Sequence, residues 1–142
     1  MPALYAIDPQ FYAETHLQEL AQGIHHLMKV HQLPQLMYNA FDSLPEMEMT
    51  PHEAYQAELR GKVTECKLSE LMNQVSANMI LPYPPGVPLI MPGEKVTEET
   101  KPILEFLEML CDIGSHYPGF ETDIHGVYQN SDGEYVVRIL DL

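Results

Sequence analysis

Four prolines fall within seven residues at Pro82-Tyr83-Pro84-Pro85-Gly86-Val87-Pro88. Proline fixes φ, lacks an N–H and pushes the preceding residue out of helical space. Such a run is therefore extended and stiff, and cannot lie inside a helix or in the middle of a sheet. The residues before it, Val75 to Leu81, read as a strand buried on both faces. After it, Leu89-Ile90-Met91 reads as a second short strand ahead of a Pro92-Gly93 turn. The run is either a rigid connector from strand to helix, or a stiff wall of a binding site or subunit contact. In the second case Tyr83 is the exposed group, and Gly86 and Gly93 allow close backbone approach.

Upstream of residue 75 the pattern is helical. Asp8 is a good N-cap and Pro9 suits the first helical position. Ala13, Leu17, Leu20, Ala21, Ile24, Leu27 and Met28 then recur at helical spacing, which predicts one helix from Pro9 to about His31, ending before Leu33-Pro34. A shorter helix is expected over Gln35 to Phe41, broken by Ser43-Leu44-Pro45. Thr50-Pro51-His52-Glu53 is a capping box with proline at the first helical position. Its helix should bury Ala54, Tyr55 and Leu59 and stop at Gly61. Leu68 to Met72 adds a helical turn. No strand is predicted before residue 75.

Downstream, Thr97 caps a long helix whose first turn carries Glu98 and Glu99, suited to the positive end of the helix dipole. Ile103, Leu104, Phe106, Leu107, Leu110, Cys111 and Ile113 cover more than half of its circumference, so it lies between two layers or under a partner. It should fray near Gly114. Gly126 to Gln129 and Glu134 to Leu140 flank Asn130-Ser131-Asp132-Gly133 as a β-hairpin. At 142 residues the chain is expected to be a single α+β domain spanning 1–142. A helical first half (about 1–74) leads into a mixed half (about 75–142), which holds a small mixed sheet, the long packed helix and the C-terminal hairpin.

The chain has 7 Lys+Arg against 21 Asp+Glu, a formal net charge of −14. Such a surface repels phosphate backbones and anionic lipid, which excludes nucleic acid as a partner. No run approaches the ~18 apolar residues of a membrane span, and residues 1–10 lack the features of a signal peptide. Cys66 and Cys111, the only cysteines, read as reduced buried thiols, fitting a cytoplasmic protein. The search for chemistry is nearly empty. No H-E-x-x-H, Cys/His metal spacing, glycine-rich phosphate loop or G-x-S-x-G is present, so no metal site is expected. None of Lys29, Lys62, Lys67, Lys95 and Lys101 sits in the desolvated setting of a Schiff-base lysine. The other dense segment is His116-Tyr117-Pro118-Gly119-Phe120-Glu121-Thr122-Asp123-Ile124-His125-Gly126. It is either a hydrogen-bonded helix-to-strand turn or part of a site.

Asn78 to Leu89 with Met91-Pro92-Gly93-Glu94, and His116 to Gly126, resemble the two signature blocks of the bacterial Orn/Lys/Arg decarboxylase C-terminal domain. Leu17-Gln18-Glu19-Leu20-Ala21-Gln22, Leu36-Met37-Tyr38 and Met49-Thr50-Pro51 are most similar to the inducible and constitutive lysine decarboxylase branch, with arginine decarboxylase the nearer alternative. The resemblance spans essentially the whole chain. It implies a parent enzyme several times longer, with pyridoxal phosphate on the lysine of a Ser-x-His-Lys motif in a fold-type I domain. That motif is absent, so no catalytic or cofactor-binding residue carries over. It also implies a homo-oligomer of dimers assembling into larger rings, and an AAA+ ATPase partner for which the acidic C-terminal hairpin is a docking edge. Tyr83, Pro84, Pro85, Gly86, Val87, Pro88, Gly93 and Glu94 are then the expected active-site rim or interface. His116, Tyr117, Pro118, Gly119, Phe120, Glu121, Asp123 and His125 form the second block. The other reading is a free-standing acidic interaction module.

Overall fold

Thr97 opens the element around which the fold is built. Its N–H donates to the Thr100 hydroxyl at 2.9 Å, and a 3-10 turn, Glu98–Thr100, leads into helix α6 (Lys101–His116). The computed structural model describes residues 2–83, 85–120 and 123–142. Ile103, Leu104, Phe106, Leu107, Met109, Cys111 and Ile113 of α6 are buried. Apolar side chains over most of a helix surface require neighbours on several sides, and α6 has them. Helix α4 (Leu33–Asp42) meets it through Phe41 and Phe106, edge to face at 5.7 Å between ring centroids. Ile80, Ile90, Val96, Val137 and Ile139 complete the same central cluster. Helix α6 runs on to His116 without fraying at Gly114, which is buried. The Ser115 hydroxyl and the His116 ring both bond the Asp112 carbonyl, at 2.8 Å each.

The expected first helix is broken. Helices α1 (Pro2–Ile7) and α2 (Pro9–Tyr12) precede α3 (Leu17–Val30). The break has a local cause: the Thr15 hydroxyl donates to the Phe11 carbonyl at 2.9 Å, and the Glu19 carboxylate accepts the His16 N–H at 3.2 Å. Side chains that bond nearby backbone compete with helix continuation. The apolar stripe is also thinly covered, for Leu20 is the one buried residue of α3 and Leu17 is 65% exposed. Helix α4 begins at Leu33, two residues earlier than expected.

The capping box forms as read. The Glu53 carboxylate accepts the Thr50 N–H at 2.8 Å, starting helix α5 (Pro51–Leu59). Its buried side differs from expectation: Ala54 is buried, whereas Tyr55 and Leu59 are 54% and 62% exposed. Glu58 faces inward instead, with the Arg138 guanidinium 2.7 Å from its carboxylate.

Among the described residues the strands form three small antiparallel sheets. Strands β1 (Glu46–Met47) and β4 (Glu94–Lys95) pair; β2 (Val63–Lys67), β7 (Tyr135–Leu140) and β6 (Val127–Gln129) form the second sheet in that order; β3 (Leu81–Tyr83) pairs with β5 (Asp123–His125). The hairpin is β6–β7, with Gln129 opposite Tyr135. Strand β2 overturns the expectation of an all-helical first half: Val63 faces Leu140 and Lys67 faces Val136, across the sheet from the C-terminal strand. Val75 to Leu81 is not a regular strand, although Val75, Ser76, Ala77 and Ile80 are buried. Ser76 donates its N–H to the Glu94 carbonyl and accepts from Gly93 N–H, both at 2.8 Å, while Ala77 N–H reaches the Arg138 carbonyl at 3.0 Å. This segment stitches β4 to β7. Leu89 to Met91 likewise makes only a single bridge, Ile90 opposite Ile80.

Candidate functional site

Pro82 sits in the middle of the short β3–β5 pair, opposite Ile124. Its missing donor costs nothing at such an edge, and its carbonyl accepts the Gly86 N–H at 2.9 Å. That bond brings Gly86 back against Pro82. Gly86 has φ +78, and the Tyr83 ring covers it, 3.2 Å from where a Cβ would stand. Tyr83 is nonetheless 65% exposed, and Pro85, Val87 and Pro88 are exposed beside it. Leu89 and Ile90 then turn into the core, fixed by bonds to Ile80 at 2.9 and 2.8 Å.

Gly93 and Glu94 support this loop. Gly93 has φ +91, and a Cβ there would fall on the Met49 carbonyl. Its own carbonyl accepts from Glu48 and Met49 N–H at 3.0 and 3.2 Å. The close approach expected at Gly93 is therefore made by this chain's own backbone. The Glu94 carboxylate accepts the Met91 N–H at 2.8 Å across the Pro92-Gly93 turn.

The loop lies along α4, and two apolar grooves flank it. One, about 580 Å³, is lined by Pro34, Met37, Tyr38, Phe41, Asp42 and Pro85. The other, about 280 Å³, includes Phe41, Leu44, Pro45, Val87 and Met91. Phe41 is the wall they share. Tyr38 and Leu44 stand 65% and 85% exposed at the margins. Sequence reasoning missed the contribution of α4; its signal was an apolar or aromatic residue at nearly every position from Leu36 to Phe41.

The second block is divided. Asp123 and His125 lie in β5, exposed, directly beside the proline loop. Tyr117 to Gly119 face the N-terminal helices instead. The Tyr12 hydroxyl donates to the Pro118 carbonyl at 2.6 Å, and the Tyr117 ring fills the space left open by Gly23. Gly119, with φ +90, lies against Ile7 and Leu4. The Asp112 carboxylate is shared by His31 Nε2 at 2.9 Å and His116 Nδ1 at 3.3 Å; His116 lies one helical turn away, whereas His31 is 81 positions away and leaves no trace in the sequence. Pro84 and Glu121, also expected at the site, lie outside the described residues.

A pyridoxal aldehyde needs an uncharged, sheltered lysine amine, and the described residues do not fit it. The Lys95 ammonium is 2.7 Å from Glu48 and 3.2 Å from Glu46, and those carboxylates push its pKa up. Lys67 is raised in the same way by Glu134, 3.0 Å away. Lys29, Lys62 and Lys101 are exposed. Among the described residues no group of His, Cys, Asp and Glu is arranged to hold a metal ion.

Helices packed with small antiparallel sheets on one long buried helix, with an exposed proline-rich loop, define an α+β domain. The chain is a member of the family "Orn/Lys/Arg decarboxylase, C-terminal domain", whose model matches residues 34–141. It is 60% identical over 140 residues to the inducible lysine decarboxylase of Escherichia coli (strain K12), covering 99% of this chain and 20% of that protein. Identity to the lysine decarboxylase of Hafnia alvei is 59% over 141 residues, covering 99% and 19%. The solved structure of E. coli constitutive lysine decarboxylase superposes with a TM-score of 0.91 at 60% identity, over 98% of this chain and 20% of that one. The chain thus spans about a fifth of the length of the relatives it matches.

Proposed function

We propose that this chain is the C-terminal accessory domain of a pyridoxal-phosphate-dependent, cytoplasmic lysine decarboxylase, an enzyme of the acid stress response that converts L-lysine to cadaverine and CO2. Its part is to shape the active-site rim and the subunit contacts, while chemistry belongs to the cofactor-binding body of the same polypeptide. Lysine is favoured over arginine because the relatives near 60% identity are lysine decarboxylases. The observation that carries the reading is the exposure of Tyr83, Pro85, Val87 and Pro88 beside two apolar grooves, after Pro82, which is paired in β3 and bonded to Gly86. Apolar surface of this kind, rimmed by polar groups, is characteristic of interaction sites. Gly93 and Glu94 hold the loop in place, and Asp123 and His125 flank it.

In the parent the domain joins homo-oligomers, dimers building larger rings. The exposed edge strands β2 and β6 of the hairpin sheet suit an AAA+ ATPase that adds a strand.

The test is made in the full-length enzyme. Tyr83→Ala combined with Val87→Ala should raise KM or weaken subunit assembly while leaving the domain folded. Unchanged kcat, KM and assembly would overturn the rim role. The isolated chain should neither release CO2 from lysine nor take on pyridoxal absorbance, and either signal would overturn the accessory reading itself.

A further inference from the structure

Strand alternation sorts the β3–β5 pair into two faces. Pro82 and Ile124 stand opposite each other and are buried. Tyr83 and Asp123, the next opposed pair, therefore share the outer face with His125, and all three are exposed. Directly opposed residues of an antiparallel pair hold their Cβ atoms about 4.5–5.5 Å apart, so an aromatic ring and a carboxylate stand side by side. The ring rests against Gly86, with Cδ2 and Cε2 at 3.2 and 3.5 Å from where a Cβ would stand, and the residue is still 65% exposed. Among the described residues neither the Tyr83 hydroxyl nor the Asp123 carboxylate has a hydrogen-bond or ion-pair partner. The grooves beside the loop add no basic group; the charged residues that line them are Asp42 and Glu94.

An aromatic face attracts a cation through its quadrupole, and a carboxylate does so through its charge. One carboxylate beside a ring is too few oxygens for a hard metal ion. It suits an ammonium on an apolar stem, with the nitrogen toward the carboxylate and the methylenes along the ring. We propose that Tyr83 and Asp123 form a subsite for an alkylammonium ion, which in the full-length enzyme receives the side-chain amine of lysine as it crosses the rim. The occupant rests on the reading of this loop as the active-site rim; the subsite does not. An exposed contact of this kind is weak, so it raises the local concentration of a cationic substrate and then releases it.

Two experiments separate subsite from occupant. In the first, cadaverine is titrated into the 142-residue chain and followed by NMR, with ionic strength held constant by NaCl. The amides of Tyr83 and Asp123 should shift saturably. Asp123→Asn and Tyr83→Leu should each weaken the response about threefold, whereas Tyr83→Phe, which keeps the ring, and Glu14→Gln, which removes an exposed carboxylate elsewhere, should retain it. No shift at these amides, no loss in Asp123→Asn or Tyr83→Leu, or an equal loss in Glu14→Gln overturns the subsite. In the second, Asp123→Asn in the full-length enzyme should raise KM for lysine about threefold. The increase should shrink at 1 M NaCl, where the screening length falls to about 3 Å. If the chain binds cadaverine and Asp123→Asn leaves KM unmoved, lysine is overturned as the occupant. Should Tyr83→Ala with Val87→Ala then raise KM, the rim reading stands and the cation is a basic side chain of the cofactor-binding body. Should neither move it, the rim reading falls too, and the subsite stands on the titration alone.

Discussion

Tyr83 stands opposite Asp123 in the β3–β5 pair. They are forty positions apart in the chain, with all of α6 between them. The pairing joins the proline-rich loop to the strand after the second block, and Pro82 and Ile124 at its centre are both buried. The loop is thus fixed at one end by a strand pair and at the other by Leu89 and Ile90 in the core, which gives an exposed surface its rigidity.

Gly93 holds the turn that follows Leu89 to Met91. Its φ of +91 is unfavourable for any side chain, and a Cβ would fall on the Met49 carbonyl. We expect Gly93→Ala to destabilise the chain by about 2–4 kcal/mol, as a lower urea midpoint at unchanged slope. The three backbone bonds made by Gly93, to Ser76, Glu48 and Met49, are what the shift would disturb. A variant within about 0.5 kcal/mol of the parent, the range of a neutral surface change, would show that the β1–β4 turn adapts.

The start of α5 makes a smaller, separable contribution. The Thr50 hydroxyl accepts the Glu53 N–H at 3.3 Å. Thr50→Ala leaves that donor to water and is expected to cost about 1 kcal/mol. The loss should be seen in thermal unfolding, and Thr50→Ser should recover most of it.

Elements with local signals were legible in the sequence. The capping box at Thr50, the long helix after Thr97 and the hairpin around Asn130 to Gly133 each rest on residues a few positions apart. Strand β2 was not legible, because its partner β7 lies some seventy residues downstream and its five residues do not alternate cleanly in burial. The inward side of α5 was misjudged for a related reason. Tyr55 and Leu59 are the larger apolar groups, yet β7 presents Arg138, which draws Glu58 inward. At the candidate site, the two dense segments could be located, but not their division between the proline loop and the N-terminal helices. Tyr117 answers to Gly23 and Tyr12 to Pro118, long-range pairs that periodicity cannot reveal.

Glu108 should make stability depend on pH in the direction opposite to most carboxylates. Its pKa is pushed up, first by burial and then by Glu105 beside it, with Lys101 opposing. The native chain therefore holds this proton more readily than the unfolded chain does. Stability falls as pH rises through the carboxylate range, and the cost is complete above the raised value. Glu108→Gln is expected to be more stable than the parent at pH 7 by roughly a few tenths of a kcal/mol, since the group is partly exposed and screened by solvent. The difference should vanish at pH 3, where both side chains are neutral. Urea midpoints at the two pH values decide it; an equal gain at both would trace the effect to packing.

Cys111 provides a chemical reading of the core. Burial, aided by the charge of Glu108, pushes its thiol up to about 12, and the side chain is 7% exposed. Cys66, half-buried on β2, is also raised, by burial and then by Glu70. The thiolate is the reactive form, so at pH 8 about one Cys111 in ten thousand carries the charge that alkylation needs. With iodoacetamide at pH 8, Cys66 should be modified first and Cys111 only as the chain unfolds, at a rate that rises with urea as the unfolded population does. Peptide mass spectrometry distinguishes the two sites. Native-state labelling of Cys111 as fast as that of Cys66 would mean that the interior between α6 and the hairpin sheet opens without global unfolding.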